Sequence, residues 1–251
     1  MLLKHLAFDP LHPVSRVPQR ALAPTAHAQY RTLFRPTPAF VAAACTHLDA
    51  LNLRLGRPWV GLQLRRKLDK LQSRQSRLGG LASPGGNGTY RWQDEPALSE
   101  RDKAGVAKAV ACALSARNAS CGRGGEGALC GAPVFLTSNS YRCLRYGARL
   151  LGERDARWAA DPTFGVHGGP NVQLQPLLEM AVLSASAVIV GSAGSSYPLE
   201  AANLANTSAI VKDFGLYNVP EALRKATLQG DCAAPPPPGE SLLLPRGACG
   251  Q

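Results

Sequence analysis

The sequence predicts an α/β protein, a doubly wound parallel sheet of Rossmann-like type, from two observations. Short apolar runs near residues 60, 134, 187 and 209 alternate with longer stretches of helical periodicity, the order that generates parallel strands with crossover helices. The runs are also uniformly apolar and β-branched instead of alternating with polar residues, as strands covered on both faces require.

The chain begins with a proline-punctuated, weakly basic arm, residues 1–36, without periodicity. Thr37 is placed to cap a helix that Pro38 opens and Gly56 closes, with Phe40, Ala44, Leu48, Leu51 and Leu55 at helical spacing. Trp59–Leu64 then forms a strand. Arg65, Arg66, Lys67 and Lys70 follow it, and the span from Arg54 to Arg77 holds eight basic residues against Asp69 alone. Such a cluster either pairs with a diphosphate through guanidinium forks or forms a solvated basic helix, Arg66 to Arg77. The absence of interleaved aromatics argues against nucleic acid.

Glycine-rich loops are expected at 78–93 and 119–131, the second lacking both the lysine and the spacing of a phosphate cradle. Ser99 and Asp102 make a capping box before a helix running to about Arg117, with Val106, Val110, Ala113 and Leu114 inward. Pro133–Ser138 is the next strand, and Thr137, Ser138 and Asn139 stand at its polar carboxyl end. Ser140 caps the helix Tyr141 to Leu151, which Gly152 closes. A loop from Glu153 to Asn171 carries the lone His167, a base or, as the lack of a paired carboxylate favours, a surface residue. Beyond the central stretch come a strand at 208–212, a short helix at 220–228 and, from 232 to 251, a loose proline-rich tail.

Gln175 to Ala205 holds helix, strand, Ser/Gly turn and helix in succession. Its strand is expected over Ala187 to Val190, and the turn from Gly191 to Ser196, including Ser192, delivers Ser195 or Ser196 as the cap of the last helix. Pro198 falls in the first turn of that helix, and Leu199, Ala202 and Ala205 face inward. Ligands of open α/β sheets sit outside the carboxyl ends of strands, where helix N-termini attract anions. The turn is a candidate phosphate seat, although the same elements occur in domains that bind nothing there.

Composition is that of a soluble globular protein: 251 residues, 45% hydrophobic and 18% charged. Its 28 basic against 17 acidic residues give +11 and favour anionic partners. No run is apolar enough to cross a membrane, and the amino terminus lacks the pattern of a signal peptide. Seven cysteines match no paired metal spacing. Cys121 with Cys130 and Cys232 with Cys249 are the expected bridges. Sequons at Asn87, Asn118 and Asn206 agree with a secretory lumen.

Three segments in fixed order resemble the donor-binding half of GDP-fucose-dependent fucosyltransferases, especially the plant xyloglucan type. Leu33-Phe-Arg-Pro-Thr-Pro38 with a helix and Val60-Gly-Leu-Gln-Leu-Arg65 is similar to the family's Phe-x-Pro segment and Gly-Ile-Gln-x-Arg strand. Val134-Phe-Leu-Thr-Ser138 is similar to its Val-x-Val-Thr-Ser strand. Leu178–Ser184 with Val188–Tyr197 resembles Ala-Glu-x-x-Leu-Leu-Ser, a strand and Thr-Ser-x-x-Ser-Thr-Phe-Gly. The resemblance implies the C-terminal domain of a GT-B fold, no metal, and inverting transfer of fucose from GDP-fucose to a cell-wall or glycoprotein glycan in the Golgi.

Residue by residue, the resemblance implies that Arg65 contacts the diphosphate. Thr137 and Ser138 would line the nucleotide pocket, and Ser195 and Ser196 would hold the β-phosphate end. Gln63, Arg66, Asn139 and Ser192 complete the expected donor site, and no catalytic base is assigned. Ser186-Ala187 stands where the family has an Asp or Asn, and Ser195-Ser-Tyr-Pro198 replaces Ser-Thr-Phe-Gly. Fewer than forty residues precede the first matched segment, too few for an acceptor-binding domain. Two readings stay open: a transferase or its donor half, and a noncatalytic protein binding anionic polymers through its basic surface.

Overall fold

The computed structural model describes Ala28 and residues 35–67, 95–119, 121, 129–159, 174–218, 221 and 228–250. The basic helix expected beyond Lys67, the loop 78–93, His167, and most of the arm, of the loop 119–131 and of the 220–228 helix lie outside these. Ten elements are described: α1 Pro38–Ala50, β1 Val60–Leu64, α2 Glu100–Ala119, β2 Val134–Ser138, α3 Tyr141–Leu151, β3 Ala156–Arg157, α4 Leu174–Ser184, β4 Val188–Ser192, α5 Tyr197–Leu204 and β5 Ile210–Lys212.

All strands run parallel in the order β3-β2-β1-β4-β5. Each residue of β1, β2 and β4 is buried, as the apolar runs require. Two cores result. Val60, Leu62, Leu64, Leu136, Val190 and Ile210 pack on α2 and α3, while Phe135, Ile189 and Val211 pack on α1, α4 and α5. Burying each such aliphatic side chain is worth about 1.5–3 kcal/mol, so the alternation of faces along the strands fixes a three-layer sandwich. The strand order reverses between β1 and β4, and the topological switch point lies at their carboxyl ends.

Local signals placed the helix starts. Thr37 caps α1 by accepting from the Phe40 amide (3.2 Å), and Ser99 and Asp102 cap α2 reciprocally, each side chain accepting the other's amide at 3.1 Å. Besides β5, which begins at Ile210 and not at 208, three placements differ from expectation. α1 ends at Ala50, and Gly56 closes the following turn with φ 88°. β4 continues through Gly191 and Ser192, which the composition had suggested as turn. Gly191 is required inside the strand because a Cβ there would meet the Pro198 ring at 2.3 and 2.4 Å. The third is β3, a two-residue edge strand within the expected loop.

The tail is the largest correction, since it is seated in the fold and not loose. Cys121 pairs with Cys130 as expected, but Cys232 joins Cys112 on α2 and Cys249 joins Cys45 on α1. Those two helices cover opposite faces of the sheet, so the tail passes from one face to the other along the amino ends of β1 and β4. Leu244 is buried, the Ser241 hydroxyl lies 2.6 Å from that of Ser184, and the Leu242 amide donates to Leu204 (3.0 Å). Cys143 is buried and unbridged, and burial pushes its thiol up to about 11, so it stays protonated at neutral pH.

Candidate functional site at the sheet's switch point

Four strand ends and two helix starts meet at the carboxyl edge. The Arg65 amide donates to the Ser192 hydroxyl (3.1 Å), which in turn donates to the Gln63 carbonyl (3.4 Å). Ser192 therefore locks the end of β4 to the end of β1. Asn139 does the same between β2 and β1: its side chain accepts from the Arg66 amide (2.8 Å) and donates to the Arg66 carbonyl (2.9 Å). Both residues fix the floor of the crevice.

Arg65 and Arg66, adjacent in sequence, have opposite fates. The Arg66 side chain is 6% exposed, and its guanidinium is spent on the Pro96 carbonyl (3.0 Å), the Ala97 carbonyl (2.9 Å) and the Asp102 carboxylate (3.0 Å). That engagement is incompatible with the phosphate role expected of it. Arg66 ties β1 to the start of α2. Arg65 is exposed, pairs with no carboxylate among the described residues, and lies 5.9 Å from the centroid of the Tyr217 ring.

The starts of α3 and α5 differ in the same way. At α3 the Ser140 hydroxyl accepts from the Cys143 amide (3.2 Å), the Glu95 carboxylate accepts from the Arg142 amide (3.0 Å), and the Arg142 side chain donates back to the Glu95 carbonyl (2.7 Å). The chain's own carboxylate occupies that helix N-terminus. Ser138, buried one turn earlier, accepts from the Ser140 amide (3.0 Å) and belongs to the same closed network.

At α5 the capping residue is Ser196, in helical conformation with no side-chain cap bond. The Ser195 amide donates to the Ser192 carbonyl (3.3 Å), and Gly194 makes the turn with φ 80°. Neither the Ser195 nor the Ser196 hydroxyl has a hydrogen-bond partner among the described residues. Pro198 lacks an N–H, so the Ser196, Tyr197 and Leu199 amides are the leading donors before Glu200 begins the helical ladder on Ser196 (2.9 Å).

Beneath α5 lies a buried polar group centred on Glu179. Thr137 donates to the Glu179 carboxylate at 2.5 Å, and Gln175 donates to its other oxygen at 3.3 Å. Burial pushes the Glu179 carboxyl above the ordinary range, against the opposing pull of these two donors. Tyr197 donates its hydroxyl to the Pro176 carbonyl and is held protonated by its own burial and by Glu179. Gln63, in register with Thr137 and Gly191, projects to the same face, and its Oε1 is buried without a donor among the described residues. A lone Glu inside the apolar stripe Leu178 to Leu183 was the signal available for Glu179.

The crevice is thus Arg65, the open start of α5, and a neutral-to-polar floor of Gln63, Thr137 and Glu179. The start of α5 offers helix amides to a phosphate group, and Arg65, at the end of the neighbouring strand, carries a guanidinium. The fold is that of an α/β protein with a five-stranded parallel sheet flanked by helices, consistent with a Rossmann-like fold. Comparison with protein-family models, curated proteins and solved structures returns no match to this chain. No helix among the described residues is long and apolar enough to cross a membrane.

Proposed function

We propose that the chain is the donor-binding domain of a fucosyltransferase-like glycosyltransferase, taking GDP-fucose as the donor and a glycan as the acceptor. One observation carries the reading: at the switch point the start of α5 has no side-chain cap, and Arg65, whose amide donates to Ser192 at the end of β4, has no carboxylate partner among the described residues. The α5 amides would receive the terminal phosphate of the nucleotide, and Arg65 would neutralise charge that grows on GDP as the sugar bond breaks. Gln63 offers a buried acceptor for a donor on the ligand. Ser192, Asn139 and Arg66 position these groups without touching the ligand. Three disulfides fit an oxidising compartment such as the Golgi lumen.

The anionic-polymer reading has less support. Its basic span is divided by the fold, with Arg54 and Arg57 before β1 and Arg65 to Lys67 after it. At roughly 3.3 Å per residue the strand separates the two groups by about 15 Å, at opposite edges of the sheet. Calorimetric titration with GDP, GDP-fucose, UDP and ADP tests the proposal. Saturable binding selective for guanine nucleotides and lost in Arg65→Ala is expected. No binding, or equal binding of all four, overturns it.

A further inference from the structure

A second basic site lies at the opposite edge of the sheet. Arg54 and Arg57, on the turn between α1 and β1, and Arg157, on β3, line a cavity of about 330 Å³ with Asn52, Leu53, Pro58 and Pro133. No acidic side chain among the described residues lines it. None of the three arginines forms a salt bridge among the described residues. Backbone geometry sets the turn: Asn52 has φ 52°, and the Arg57 amide donates to the Arg54 carbonyl (3.1 Å). Arg157 is held from beneath, its Nη1 donating to the Arg154 and Ala156 carbonyls at 2.9 Å, while its Nε is buried without an acceptor among the described residues.

Three arginines line one cavity, and like charges held around it are kept together at least cost when an anion neutralises them. A carboxylate is satisfied by one guanidinium fork, whereas three guanidinium groups offer donors enough for all the oxygens of a dianion and more than offset its two charges. The cavity lies at the amino edge of the sheet and the Arg65 to Lys67 cluster at the carboxyl edge, so these two groups do not form one track for a polyanion. We infer that the Arg54–Arg57–Arg157 cavity binds a phosphate dianion, the group shared by inorganic phosphate and a phosphorylated sugar. This site is separate from the nucleotide seat and does not depend on that assignment.

The test is calorimetric titration at constant ionic strength with inorganic phosphate, a hexose 6-phosphate and acetate. The titrated protein is Arg65→Ala, so that the carboxyl edge does not report. Saturable phosphate binding is expected, weakened at least about tenfold when the exposed Arg54 and Arg57 are also replaced by Ala. Tighter binding of the hexose phosphate identifies an ester as occupant, and equal or weaker binding identifies free phosphate. Equal affinity with and without the two arginines, acetate binding as tightly as phosphate, or heats that never saturate would overturn the site. In the unsubstituted protein, phosphate should slow amide exchange across 52–59. Unchanged exchange there also refutes the inference.

Discussion

The starts of α3 and α5 occupy equivalent places, each following a central strand at the same edge of the sheet, yet one is closed and the other open. α3 is sealed by the Ser140 hydroxyl and the Glu95 carboxylate, and Arg66 next to it is consumed by Asp102 and two carbonyls. α5 has a capping serine that makes no side-chain bond, and the neighbouring Arg65 has no carboxylate partner among the described residues. A helix N-terminus is therefore a ligand site only where the chain leaves its donors and charge unspent. In this molecule that distinction is made by neighbours distant in sequence, not by the serines themselves.

Breaking the closed side should cost stability and leave binding nearly intact. Arg66→Ala strands Asp102 and two carbonyls, and removing one partner of a buried pair costs about 3–5 kcal/mol. Arg65→Ala should change stability by no more than about 0.5 kcal/mol while removing nucleotide binding. Denaturant titration of the two variants checks the contrast, and equal stability losses would erase it.

Gly191→Ala sharpens the comparison from the open side. The added methyl meets the Pro198 ring, so α5 must shift, with a cost of about 1–3 kcal/mol. Nucleotide affinity should fall along with stability, because the displaced element is the proposed phosphate seat. A variant that loses stability and keeps its affinity would separate α5 from the site.

Glu95→Ala should convert the closed start into an open one. Loss of the carboxylate leaves the Arg142 amide without its acceptor, at about 1–3 kcal/mol. Added phosphate should then raise the thermal midpoint of the variant by more than it raises that of the unsubstituted protein, whose α3 start is already occupied by Glu95. Failure of phosphate to rescue would show that geometry, and not occupancy, distinguishes the two helices.

The smallest effect concerns Glu179. Its folded pKa is raised above the unfolded value of about 4.5, so between these values the native state holds more protons than the unfolded chain. Stability from this group accordingly falls as pH rises from about 4.5 to the raised folded value, and is flat above it. Glu179→Gln should abolish that slope while keeping an acceptor for Thr137. Denaturant midpoints measured across pH 4–8 decide it, and an unchanged slope would assign the pH dependence elsewhere.

Local chemistry was legible in the chain and long-range chemistry was not. The caps at Thr37, Ser99 and Ser140 involve partners within three residues, and all three were placed from sequence. Continuous apolar runs likewise disclosed the buried strands and the doubly wound class. Nothing in Arg65-Arg66 says which guanidinium is spent, because the answer depends on residues 96 to 102 folding over one of them. Cys232 and Cys249 are near each other in sequence, yet their partners are 120 and 204 residues away. Gly191 and Ser192 resembled a turn because only the approach of Pro198 shows why a glycine belongs in that strand.

The central claim, that the start of α5 is the anion seat and the start of α3 is not, is most directly tested by amide hydrogen exchange with and without saturating GDP. Added protection is expected in 191–199, with exchange in 138–144 unchanged. Protection confined to 138–144, or none in 191–199, would contradict the account.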